Sequence, residues 1–171
     1  HQWLVEMVRR FNLHFNVVTE ADFIEGNGFS AGQMFICPLS LATTDIGAAE
    51  ALSEDWDVVV VDEAHHLQWS PDYQDDGYRL VEQLSMIAPS VLLLTATPEQ
   101  LGIEGHYARL RLLDPERYPS LEAFLEQQDK YRPYAELASA LDAGGKLTSD
   151  QQALLDASIA DHEKDSDERA L

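Results

Sequence analysis

Apolar residues at Trp3, Leu4, Met7, Val8 and Phe11 recur at helical spacing, so the chain is expected to open in a helix. A short strand is expected over His14–Val18, and a second over Gln33–Cys37, closed by Pro38. The Gly- and Asn-containing stretch Glu20–Gly32 between them reads as a loop, and the Ala-rich stretch Leu39–Leu52 as a helix. The clearest strand is Asp57–Val61, where Val58 to Val61 form an unbroken β-branched run. Such a run is expected of a strand buried on both faces. A polar loop over Ser70–Gly77 leads to a helix around Tyr78–Ile87, then to a buried strand at Val91–Leu94 that Thr95-Ala96-Thr97-Pro98 ends. From Gln100 onward the pattern is helical. Up to about residue 98, strands alternate with helices, which predicts an α/β domain with a parallel sheet flanked by helices. A shift in composition near Asp129 divides the chain into 1–128 and a helical extension, 129–171. In the extension, two short helices between Tyr134 and Ile159 are split by Gly144-Gly145, and a charge-dense end, Asp161–Arg169, is expected to fray.

At 171 residues and 45% apolar, the chain is long and apolar enough for a packed core. Its single cysteine, Cys37, forms no internal disulfide and fits a reducing compartment. No apolar run reaches the length of a membrane span, so no membrane partner is expected. The opening His1-Gln2-Trp3 carries no initiator Met or signal pattern and reads as a chain cut from a longer one. A formal charge of -20 with 11 basic residues opposes the phosphate backbone of nucleic acid at long range. The local basic spots, Arg9-Arg10 and Arg109/Arg111, are expected to be solvated helix positions rather than DNA contacts. Trp3 and Trp56 are expected to pack on the sheet, and Trp69 to be more open.

The string Val58-Val59-Val60-Val61-Asp62-Glu63-Ala64-His65-His66 carries the chemistry. A buried parallel strand ends in two adjacent carboxylates, and open α/β sheets bind ligands just beyond the carboxyl ends of their strands. In ATPases an acid at that point holds Mg²⁺, which bridges the β- and γ-phosphates of ATP. Asp62 is placed for that role. Glu63 is placed to polarise the attacking water, and His65 to face the nucleotide and link its state to neighbouring segments. The bland alternative is a solvated acidic turn; a chance Asp-Glu-Ala-His match has a false-positive rate on the order of one in a thousand. Zinc is disfavoured because no H-E-x-x-H or Cys/His spacing accompanies the His pair. Thr95 and Thr97, at the end of the next buried strand, are candidate partners of the catalytic acid and sensors of γ-phosphate loss.

Asp62-Glu63-Ala64-His65 followed by Thr95-Ala96-Thr97-Pro98 resembles motifs II and III of superfamily 2 helicase-like ATPases. The opening Gln2-Trp3-Leu4-Val5-Glu6 resembles the end of motif Ia in Swi/Snf-type translocases, and Phe35-Ile36-Cys37 the strand before motif Ib. Pro98-Glu99-Gln100-Leu101-Gly102, His106 to Pro115 and Tyr131-Arg132-Pro133 are similar to the bacterial RNA polymerase-associated branch of that family. The resemblance implies a RecA-like P-loop NTPase domain, lacking its N-terminal part, that uses ATP and Mg²⁺. It implies translocation on DNA, RNA polymerase as partner, and a bacterial cytoplasmic, nucleoid-associated location.

A phosphate-binding loop of the form G-x-x-x-x-G-K-[ST] is absent from the sequence. Gly144-Gly145-Lys146 does not supply one: Leu147 stands where Ser or Thr must hold Mg²⁺, and no strand precedes it. It reads as a helix stop, with Thr148 and Gln151 as a capping box for the next helix. The arginine finger of such motors belongs to a second RecA-like domain downstream and is also missing. Pro38 stands where relatives often carry a hydroxyl residue, which removes a DNA-backbone contact. The expected role is therefore a motor fragment, inactive alone and short of phosphate contacts to DNA. The competing reading is a catalytically inactive module that binds RNA polymerase or another protein.

Overall fold

The computed structural model describes residues 2–30, 32–96 and 102–168, with side-chain surroundings in the last helix described as far as residue 159. The elements run α1 (Gln2–Phe11), β1 (Asn16–Val17), α2 (Glu20–Ile24), β2 (Phe35–Ile36), α3 (Leu39–Ala42), α4 (Asp45–Ser53) and β3 (Val59–Val61). A single 3-10 turn, Ala64–His66, follows β3. Then come β4 (Trp69–Ser70), β5 (Tyr73–Gln74), α5 (Asp76–Ile87), β6 (Val91–Leu93), α6 (Gly102–Leu113), α7 (Leu121–Asp142) and α8 (Ser149–Glu168). The backbone divides into two compact units, 1–118 and 119–171.

In the first unit, β1 pairs with β2 and β3 with β6, both in parallel, as the alternation of strands and helices predicts. Val59, Val60 and Val61 stand opposite Val91, Leu92 and Leu93. The expectation that β3 is buried on both faces is corrected. Side chains alternate along a strand, and only the Val59/Val61 side is covered. Val60 and Leu92 are 49% and 52% exposed.

Two apolar clusters meet along α5. Phe23, Phe29 and Ala51 pack with Leu80 and Leu84; Ala64, Leu67, Ala108 and Leu112 pack with Tyr78 and Val81. Trp56 joins the first, edge-on to Phe29 and Phe35, and donates its indole N–H to the Ala51 carbonyl. Cys37 is half-buried beside this cluster.

Three further readings change. The segment expected as a loop after Val18 contains α2, because the Thr19 and Asp22 side chains form a capping box at its start. The helix expected over Leu39–Leu52 is two helices. The Thr44 hydroxyl accepts the Gly47 N–H and starts a second helix where the first ends. The polar loop before α5 holds the β4–β5 hairpin, turned at Pro71-Asp72. Asp75 then caps α5, accepting the Tyr78 N–H at 2.6 Å, and ties it to the hairpin by accepting the Gln68 N–H at 2.9 Å.

In the second unit, Ser120 caps α7, which is continuous through Asp129 and contains Pro133. Gly144 adopts a left-handed conformation (φ 63°) and stops the helical run. The Thr148–Gln151 capping box is present, at 3.0 and 3.3 Å. Both helices are longer than the sequence suggests, and α8 extends to Glu168.

Candidate active site

Parallel pairing of β3 with β6 puts the residues after Val61 and after Leu93 side by side. The Ala64 N–H reaches the Leu94 carbonyl at 2.8 Å, and the Leu94 N–H reaches the Val61 carbonyl at 2.8 Å. The chain must turn sharply at the strand end, and it does so at Glu63, whose φ of 51° and ψ of 42° lie in the left-handed region. A glutamate there is uncommon and strained, a condition often found at functional sites. The Glu63 carbonyl then accepts the His66 N–H at 2.9 Å, closing the 3-10 turn.

This turn aims the carboxylates outward. Asp62 is exposed; its Oδ1 accepts the Glu63 N–H at 2.9 Å, and its Oδ2 accepts the indole N–H of Trp3. Trp3 is 38% exposed and reaches the acid instead of packing on the sheet. The Glu63 carboxylate stands 3.1 Å from Nδ1 of His65, and the same nitrogen stands 3.3 Å from Oγ1 of Thr95. Glu63, His65 and Thr95 thus form one chain of contacts from the end of β3 to the end of β6. Thr97, the other hydroxyl candidate, lies outside the described residues, as do Pro98 to Leu101.

Behind the turn, Arg109 of α6 is buried, at 8% exposure. Its Nε and Nη2 donate to the Ala64 carbonyl, Nη2 also to the carbonyls of His65 and Leu67, and Nη1 to that of Gly105. Burial holds its pKa below the usual guanidinium value, against the charge of Asp75. The expectation that Arg109 is a solvated helix position is therefore corrected. Arg111 is part-exposed and paired with Glu82 at 3.1 Å; Arg9 and Arg10 are exposed. Trp69, expected to be open, packs on Tyr78 and Tyr107, and its buried indole N–H has no acceptor among the described residues. It lines a half-open cavity of about 250 Å³ with His65, His66, Glu104 and Arg109. Reading the sequence missed both Trp3 and Arg109. The one available signal for Arg109 was its place among Tyr107, Ala108 and Leu112, the buried side of an amphipathic helix.

Among the described residues, no group of three or more His, Cys, Asp or Glu side chains is arranged to hold a metal. A single carboxylate is still a suitable anchor for Mg²⁺, which takes one or two carboxylates and completes its shell with phosphate oxygens and water. No described helix is long and apolar enough to cross a membrane. A family model described as the type III restriction enzyme res subunit matches residues 2–100, from α1 through the strand pair and its acidic turn. That match spans more than half of the 171 residues, and the chain therefore belongs to this family of RecA-like, helicase-type ATPase domains.

Proposed function

We propose that the chain supplies the magnesium-holding and water-orienting end of an ATP-driven motor that moves on DNA, of the RapA-like kind that works with RNA polymerase in transcription. The observation that carries this reading is the Asp62-Glu63 pair at the carboxyl end of a parallel strand, joined through His65 to Thr95 on the neighbouring strand. Asp62 would hold Mg²⁺, which would supply positive charge to offset that of the nucleotide's phosphates. Asp62 keeps lone pairs for that ion beside its two hydrogen bonds. The Glu63 carboxylate orients the attacking water, and His65 holds that carboxylate in place. The phosphate cradle is not encoded in these 171 residues, so another segment or chain provides it. The polymerase-associated assignment draws its support from His106 to Pro115 and Tyr131-Arg132-Pro133, beyond the matched residues.

Glu63→Gln is the test, made in a motor assembled with a phosphate-loop segment and a second RecA-like half. Nucleotide binding is expected to persist while turnover falls roughly a thousandfold. Turnover within about tenfold of the parent rejects the role. Immobilised bacterial RNA polymerase should retain the assembled motor, and its failure to do so removes the polymerase assignment alone. The missing phosphate loop favours one second reading, an inactive module that binds polymerase. On that reading no assembled form hydrolyses ATP.

A further inference from the structure

The buried guanidinium of Arg109 has an unusual set of partners. Arginine carries five N–H donors in a rigid fork. Here the fork faces four backbone carbonyls, three of them from the segment that holds the acidic turn (Ala64, His65, Leu67) and one from the first part of α6 (Gly105). No described carboxylate lies within ion-pair distance of it; Asp75 and Tyr78 act on it only at longer range. Taking a cation out of water is costly, and an apolar side chain of the same volume often serves packing as well. What an apolar residue cannot do is donate to the His65 and Leu67 carbonyls that this short turn leaves without a backbone donor. The three carbonyls of the turn segment can keep the guanidinium as partner only while the turn and α6 hold one relative position.

The other end of this linkage is fixed. The Tyr78 hydroxyl donates to the Ala108 carbonyl at 3.0 Å, and Arg111 pairs with Glu82, so α6 is fastened to α5 on both sides of Arg109. The turn itself holds a strained Glu63 and rests on the Ala64, His66 and Leu67 N–H bonds, at 2.8, 2.9 and 3.2 Å, and on the buried Ala64 and Leu67 side chains.

We propose that Arg109 is a positioning residue for the acidic turn: it clamps the carbonyls after Glu63 to α6, so that the placement of Glu63 and His65 is set by the helix and not by the strand alone. The catalytic meaning of the clamp rests on the function proposed above; the clamp itself does not.

Amide hydrogen exchange on the 171-residue chain tests the clamp directly. Arg109→Met keeps length and apolar bulk but removes every donor. The amides of Ala64 and Leu67 are expected to exchange at least tenfold faster, while mid-helix amides of α5 keep their parental rates. Arg9→Met, at an exposed position of α1 outside this linkage, should leave all of them unchanged. Parental rates at Ala64 and Leu67 overturn the proposal. So does an equal acceleration of every amide, which marks Arg109 as a contributor to global stability only. If Arg109→Met does not fold, Arg109→Lys decides on the same criterion. Lysine keeps the charge but cannot span both carbonyl groups, so the turn amides alone should again accelerate. Failure of the Glu63→Gln experiment with this exchange pattern intact counts against the ATPase reading and leaves the clamp standing.

Discussion

Replacing Glu63 by glycine and, in parallel, by alanine separates what the carboxylate contributes from what the backbone costs. Both variants lose the contact to His65, so that contribution cancels between them. It is small in any case: the Glu63 side chain is 53% exposed, and exposed pairs contribute about 0–1 kcal/mol. What remains is the left-handed conformation at φ 51°. For a residue with a Cβ this region costs roughly 1–2 kcal/mol, which glycine avoids. Glycine gives back about 0.5–1 kcal/mol through its greater freedom in the unfolded chain. The glycine variant should therefore be more stable than the alanine variant by about 0.5–1 kcal/mol. Within an ordinary helix the order is the reverse, with glycine worse by about 1 kcal/mol. Urea unfolding followed by tryptophan fluorescence is the suitable assay, because Trp3, Trp56 and Trp69 all lie in the unit 1–118. With a slope near 2 kcal/mol per molar urea, the midpoints should differ by roughly 0.3–0.5 M. An alanine variant as stable as the glycine variant would refute the claim that the turn is strained. A confirmed difference means that a glutamate is kept where glycine folds better.

Calorimetry of this chain with Mg²⁺-ATP should show no micromolar binding, because Asp62 has no phosphate cradle in the sequence to work with. A DNA titration at about 150 mM salt should likewise show no sub-micromolar affinity, since a charge of -20 opposes it and Arg109 is spent on carbonyls; binding that survives moderate salt would reveal a basic surface among the remaining residues. Burial pushes the Cys37 thiol up to about 11, so alkylation by iodoacetamide at pH 8 should run roughly 100-fold slower in the folded chain than in urea. The same shift makes stability present below the unfolded thiol's pKa decline as pH rises toward 11, and folded and unfolded chains reacting at equal rates would contradict it. Asp75→Ala should cost about 1–2 kcal/mol in urea unfolding, because it removes the α5 cap and the bond to Gln68 together; a loss under about 0.5 kcal/mol would show that neither bond matters.

The strand pair and its acidic turn were legible because both signals are local: a β-branched run sets β3, and adjacent carboxylates follow it. The alternation of elements likewise pointed to parallel pairing. What failed depended on partners distant in sequence. A valine run does not say whether both faces of a strand are covered, and Val60 proved open. Arg109 looks like any helix arginine until the fold sets it 45 residues downstream of the carbonyl it binds. Trp3 meets Asp62 across 59 residues, and nothing in its neighbourhood announces this. The capping box at Thr19 and Asp22 was missed for a different reason: its signal was present, but the Gly and Asn residues after it dominated the reading.

The open side of the β3–β6 pair has a colloidal consequence. Val58, Val60 and Leu92 present a patch of oil-like surface to water, each about half exposed. Two copies of the chain gain by pressing such patches together, since apolar contact requires no particular orientation. Against this stands a charge of -20 on every copy, which keeps them apart across a screening distance near 10 Å at 0.1 M salt. At 1 M that distance shrinks to about 3 Å, while the attraction between apolar patches is undiminished and in sulfate grows. Dispersion of this chain in solution is thus a balance between repulsion and stickiness, and ionic strength is the variable on which it turns.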